Sequence, residues 1–202
     1  MSSTRIAIVY YSATGTLHAM AQVLADAARS SGAEVRLRRA AELAPSEAIA
    51  KNPAWVEHSE ATTHVEVATH HDLVWAHGVL LGTPARFGNV AGPLKQFLDT
   101  LGPPWVRGEL ADKAYAGFTS SQTAHGGQES TLLALYNSVY HFGGVLVPPG
   151  YTAPLKFVDG NPYGVSHVTG TSDPHPLEAT QTEALTHLAE RVIDIAQRLR
   201  RG

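Results

Sequence analysis

The spacing of apolar positions changes along this chain, and the changes mark its elements. Residues 5–11, RIAIVYY, are continuously apolar after the first arginine and rich in β-favouring types. That pattern predicts a strand covered on both faces, as in a parallel sheet. The period then becomes helical: Leu17, Met20, Ala21, Leu24 and Ala28 share one face, and Gly32 closes the helix. AEVRLRR at 33–39 alternates and predicts a second, more exposed strand, with Arg36, Arg38 and Arg39 on a solvated face. Strand, helix and strand in so short a span make a parallel crossover unit.

The cycle repeats. GVLLGTP at 78–84 reads as a buried strand ending in a turn, followed by a helix from Pro93 to Leu101. A strand from Ala114 to Ser120 precedes a helix from Gln128 to Phe142, and GVLVPPG at 144–150 reads as the fifth strand. The last helix carries one apolar stripe through Leu185, Leu188, Ala189, Val192, Ile193, Ala196 and Leu199. This alternation predicts one α/β domain over residues 1–202, an open parallel sheet with helices on both faces. Two stretches break the rhythm: 41–71, rich in Ala, Glu, His and Pro, and 148–176, rich in Gly, Pro, Ser and Thr. Connections of such length in a compact domain are functional or interfacial.

Composition narrows the partners. A formal charge of -3 lacks the basic face of a non-specific nucleic-acid binder, so none is expected as a ligand. The chain has no cysteine, which rules out disulfides, iron–sulfur clusters and thiolate zinc sites and fits a reducing cytoplasm. Its eleven histidines show no H-x-x-x-H or H-E-x-x-H spacing, so no metal site is expected. The apolar run after Arg5 is too short for a signal peptide or a membrane span, and the expectation is a cytoplasmic protein without stable membrane association.

Ligands of open parallel sheets sit outside the carboxyl ends of the strands. Three loops occupy that edge: Ser12–Leu17, Pro84–Gly92 and Ser120–Gly127. The first has hydroxyls and a glycine at a helix start, where free N–H groups and the helix dipole favour a phosphate; the same residues also suit simple helix capping. It contains no Lys or Arg, and neither the triphosphatase loop nor G-x-G-x-x-G occurs there. The second loop, with Arg86, Phe87 and two glycines, suits the edge of a flat heteroaromatic ring, although Phe87 equally suits a core anchor. The third offers hydroxyls, an amide, His125 and a Gly-Gly pair, which also fit a capped helix start.

Taken in order, YYSATGTLHAMA, GTPARFGNVAGPLKQFLD, HGGQE and HFGGVLVPPGY resemble the flavodoxin-like NAD(P)H:quinone oxidoreductases of the WrbA type, with NPYG in the late excursion. The resemblance runs from about Arg5 to the C-terminus, and GTPARFGN is its most specific element. It implies a flavodoxin-like, doubly wound five-stranded sheet of order 2-1-3-4-5 that binds FMN. By position, Ser12, Ala13, Thr14, Gly15, Thr16 and Leu17 would cradle the phosphate. Pro84, Ala85, Arg86, Phe87, Gly88 and Asn89 would border the isoalloxazine. Ser120, Ser121, Gln122, Thr123, Ala124, His125, Gly126 and Gly127 would line its other edge. His141 matches a position beside the flavin, and Trp105 one in the wall of the substrate pocket. The family also implies a homotetramer whose sites draw residues from neighbouring chains.

The expected activity is two-electron transfer from NADH or NADPH to a quinone by a ping-pong cycle, with Trp105 and His141 as the catalytic pair. His141 would donate to the quinone and Trp105 would wall the flat ligand; each also has a plain structural role open to it, as a helix-end histidine or a surface cover. Two other classes stand beside this one. A one-electron carrier of the short flavodoxin type is usually strongly acidic, which a charge of -3 is not. A non-catalytic flavin-binding scaffold would keep the same loops.

Overall fold

The computed structural model describes residues 3–170 and 176–200. Its elements are β1 (Arg5–Tyr10), α1 (Thr16–Ser30), β2 (Glu34–Arg39), α2 (Ser46–Ile49), α3 (Pro53–Ala61), α4 (His70–Trp75) and β3 (Gly78–Pro84). There follow α5 (Gly92–Asp99), α6 (Gly102–Val106), β4 (Ala114–Ser121), α7 (Gln128–Phe142), β5 (Val145–Leu146), α8 (Lys156–Asp159), β6 (Val165–Val168) and α9 (Ala179–Leu199). The strands run parallel in the order β2-β1-β3-β4-β5, with β6 also paired to β4.

The period of two along β1 splits the core. Ile6, Ile8 and Tyr10 join α1 and α9 on one face, packing on Leu17, Met20, Leu24, Leu188 and Val192. Ala7, Val9 and Tyr11 point the other way, among residues of α4, α5 and α7 such as Leu73, Leu94, Leu98, Leu132 and Leu135. Every residue of β3 and β4 is buried, as continuous apolar runs flanked by helices require.

The fifth strand differs from its expected form. It is strand only at Val145 and Leu146, paired with Ala114 and Tyr115. Pro148 and Pro149 have no N–H to give to a ladder, so pairing stops there. The chain leaves the sheet, forms α8, and returns as β6, whose Val165–Val168 pair with Phe118–Ser121 of the same β4 edge. The late excursion therefore interrupts one strand position and supplies its second half. Between the halves, the buried N–H of Gly117 finds the Tyr136 hydroxyl at 3.2 Å, and that hydroxyl donates to the carbonyl of Tyr163. Residues 171–175 of the same excursion lie outside the described residues.

The early excursion is helical, holding α2, α3 and the start of α4. Glu42 ties it down by accepting from the Tyr11 hydroxyl at 3.1 Å and from Trp55 Nε1 at 3.0 Å. The arginines of β2 are not a solvated face. Arg36 and Arg38 both pair with the buried Asp72 at the start of α4, and Arg36 stacks over Trp75 at 4.1 Å. Arg39 Nε donates to the carbonyl of Val65. The strand is an edge, and the excursion supplies the acceptors that cover it.

Candidate functional site

The three predicted loops meet at the carboxyl edge of the sheet around a cavity of about 530 Å³. Its wall includes Ser12, Ala13, Thr14, Thr16 and Leu17 from the first loop, Pro84, Ala85 and Arg86 from the second, and Ser120, Ser121, Gln122, Thr123 and Gly126 from the third. Two further segments complete it: Asn52 and Ala54 at the start of α3, and Thr169 and Gly170 after β6. Sequence reasoning missed these four. Asn52-Pro53 does carry a helix-start signal, and Asn52 caps α3 by accepting from the N–H of Ala54 at 3.1 Å. Nothing local connects that signal to the cavity.

The first loop is built to leave donors free. Gly15 is the N-cap of α1 in the left-handed region, with φ of 105°, and it gives the helix no side-chain cap. A residue with a Cβ pays to adopt that conformation, and glycine does not. Ser12 Oγ takes the N–H of Gly15 at 3.1 Å, while the first-turn N–H groups of α1 lie beyond the reach of the helix's own ladder. No acidic side chain sits in that turn. This donor set fits a phosphate monoester, held by N–H and O–H groups.

The second loop is a tight turn. Arg86 and Asn89 exchange main-chain hydrogen bonds at 2.9 and 3.0 Å, and Phe87 and Gly88 between them both have positive φ, at 53° and 72°. A two-residue turn with positive φ at both central positions is a type I′ turn, in which an aromatic residue at the first position is strained. Phe87 projects fully into solvent. Below the turn, Thr83 Oγ1 accepts from the N–H of Ala91 at 2.9 Å, and Thr119 Oγ1 donates to the Thr83 carbonyl at 2.6 Å.

The third loop folds on itself: Ser121 Oγ, Gln128 Nε2 and the N–H of Gly126 all donate to the carbonyl of Thr123. Gly127 meets the second loop, since a Cβ there would lie 2.9 Å from the Cα of Gly88. Only two glycines let these turns touch. The N–H of Thr169 donates to the Ser121 carbonyl at 2.8 Å, which brings the end of β6 to the rim.

Of the other predicted residues, Gly15, Phe87, Gly88, Asn89, Ala124, His125 and Gly127 belong to the three loops without lining the cavity wall. Trp105 and His141 are brought together elsewhere. Trp105 Nε1 donates to the carbonyl of His141 at 2.6 Å, at the far end of α7. That helix starts beside the cavity and runs for 15 residues, so the pair lies roughly 20 Å away, at the amino edge of the sheet.

Fold and cleft together define a flavodoxin-like α/β protein with its ligand cavity at the carboxyl edge. The chain belongs to the NADPH-dependent FMN reductase family, whose model matches residues 4–157. It is 42% identical over 196 residues to an NAD(P)H dehydrogenase (quinone) of Deinococcus radiodurans, covering 96% of each chain. A Geotalea uraniireducens protein of the same description is 37% identical, over 98% of this chain and all of that one. Among solved structures, a WrbA-like flavodoxin of Agrobacterium tumefaciens superposes with a TM-score of 0.65 at 21% identity, covering 97% of this chain and 99% of that one. That likeness concerns the fold.

Proposed function

We propose that the protein is an FMN-dependent oxidoreductase that carries two electrons from NADH or NADPH to a quinone. The observation that carries this reading is the convergence of three donor-rich loops on one cavity, with the free N–H groups of α1 at one end. Family membership and the full-length relatives support it. FMN, when bound, supplies the hydride and electron chemistry.

The residues of the chain bind, orient and shield. Ser12, Thr14, Thr16 and the main chain from Ala13 to Leu17 hold the phosphate. Pro84–Asn89 and Ser120–Gly127 would flank the ring. Thr169, Gly170, Asn52 and Ala54 close two further sides against water. Arg86, exposed at the rim, attracts the anionic nicotinamide cofactor. We propose a ping-pong order in which nicotinamide and quinone use the same open side in turn.

We also propose a homotetramer in which Trp105 and His141 of one chain complete the site of another. Their distance from their own chain's cavity supports this, as does the exposure of Trp105, Val106 and Tyr140 around them. In such an assembly Trp105 walls the quinone and His141 donates a hydrogen bond to it. Phe87, strained and in solvent, is then a second aromatic contact across the interface. We place the enzyme in the cytoplasm, where nicotinamide donors are abundant; among the described residues no helix is long and apolar enough to cross a membrane.

The test is a visible spectrum of the purified protein, then steady-state assays with NADH or NADPH and a benzoquinone. Flavin absorbance and parallel double-reciprocal lines are expected. A protein that neither carries nor takes up FMN overturns the reading. A yellow protein that oxidises neither nicotinamide reduces it to a carrier or scaffold.

A further inference from the structure

Two histidines stand behind the first loop, and the proposed function uses neither. Ala54 of α3 lines the cavity, and His58 follows it by one helical turn on the same face. His58 and Ser12 line the same small cavity. The Nδ1 of His58 lies 3.7 Å from where a Cβ on Gly15 would stand. The ring of His18, in the first turn of α1, has its centroid 5.5 Å from that of His58 and 5.5 Å from that of Tyr10. The Tyr10 hydroxyl meets His18 Nδ1 at 2.5 Å. The small cavity, of about 30 Å³, opens between His58 and Ser12, the first residue of a loop that has no lysine or arginine of its own.

We propose that His18 and His58 are positioning residues for the phosphate of the bound flavin. They take up about one proton when a dianionic phosphate monoester enters the Ser12–Leu17 loop, and so make binding proton-linked. This inference rests on the FMN reading above. Around the pair, Arg39 of β2 and His64 after α3 oppose protonation, and Glu42 faces His58 across the small cavity. Tyr10 of β1 stays neutral, because burial outweighs the nearby Arg39 and pushes its phenol up to about 12. Burial first, and then the neighbouring histidines, hold His18 below the ordinary imidazole value. Burial likewise lowers His58, against the opposing pull of the Ser12 main chain, and Arg39 adds to the lowering.

The sign follows. Without a phosphate the pair is neutral near pH 7; a dianion in the loop raises both imidazoles, and binding draws a proton from solvent. Affinity for the phosphate ester therefore rises as pH falls, up to about tenfold per pH unit while one proton is taken up. The loop obtains its cation only when the anion is there.

The experiment is a fluorescence-quenching titration of flavin-stripped, full-length protein with FMN and, separately, riboflavin between pH 8.5 and 6.5. Above pH 6.5 a phosphate ester is mostly dianionic, its second pKa being about 6. The expected result is at least about a fivefold gain in FMN affinity over that range with riboflavin flat. Calorimetry in two buffers of different ionisation enthalpy should count about one proton taken up by the wild-type protein, without any substitution. His58→Gln and His18→Gln should flatten the FMN profile, with the far-UV spectrum checking the fold. Parallel FMN and riboflavin profiles, or no proton uptake, overturn the inference and leave the FMN reading intact. No binding of either flavin at any pH overturns both.

Discussion

Replacing Tyr136 with Phe removes one oxygen from the place where the sheet edge is broken. Gly117 lies between the part of β4 paired by β5 and the part paired by β6, and its buried N–H has the Tyr136 hydroxyl as its partner. The ring of Tyr136 is 5% exposed, so Phe keeps the packing and loses only the bridge to Gly117 and Tyr163. Burial raises the phenol well above its ordinary value, so the hydroxyl remains a donor across the usual pH range. A buried N–H left without a partner costs about 1–3 kcal/mol. Tyr163 is partly exposed and its carbonyl can find water, so the Gly117 N–H dominates the cost. For a chain of this size, each kcal/mol moves Tm by about 2–4 °C. Tyr136→Phe should therefore melt roughly 2–12 °C lower in a circular-dichroism scan. The urea slope should not change, because the exposed surface is the same. A Tm within about 1 °C of wild type would show that water fills the gap between the half-strands, refuting the claim that Tyr136 seals it.

Other consequences are as direct. Lys156 and Asp159 form a fully buried ion pair, with Lys156 Nζ also donating to the Gly164 carbonyl at 3.2 Å. Asp159→Asn strands the ammonium and should lower unfolding free energy by about 3–5 kcal/mol in urea titrations; a loss under about 1 kcal/mol would mean the charge escapes to solvent. Burial raises the Asp72 carboxyl, but hydrogen bonds from Thr69 and the Arg38 and Arg36 guanidiniums outweigh it and hold it below the usual range. A depressed carboxylate stabilises above its unfolded pKa of about 3.9 and loses that contribution as pH falls through the folded value. The advantage of wild type over Asp72→Asn in denaturant midpoint should thus be constant near neutrality and shrink below about pH 4; a gap that widens on acidification would contradict the sign. Trp105→Ala should raise KM for quinone by roughly 2–12-fold, from about 0.5–1.5 kcal/mol of lost stacking, while FMN stays bound. An unchanged KM would return Trp105 to a surface role.

Much of this architecture was legible from spacing alone. The runs at 78–84 and 128–142 are found as β3 and α7 with the bounds their composition suggested, because buried strands and capped helices write their limits locally. The order of the strands came with the family resemblance. The second half of the fifth strand was not legible: Val165–Val168 is four residues amid Gly and Pro, too short for a period to register. The arginines of β2 misled for a related reason, since their partner Asp72 lies more than thirty residues on. At the site, the three loops announced themselves by composition, each at the end of a recognisable strand. Asn52, Ala54, Thr169 and Gly170 join them only through tertiary folding, from excursions whose return path no local signal encodes.

The interrupted fifth strand also bears on how such a chain can change over time. The late excursion departs opposite Tyr115 and returns opposite Phe118, so its two ends are anchored about 10 Å apart on one rigid strand. Doubling the length of a flexible loop between fixed ends costs only about 0.6 kcal/mol in closure entropy. Residues can be gained between Val147 and Gly164 at little thermodynamic penalty where the insertion leaves both half-strands, the Tyr136 contact and the buried Lys156–Asp159 pair intact. That makes the segment a ready insertion point for a reporter or a binding module, set into the same edge strand that carries Thr169 and Gly170 to the cavity rim.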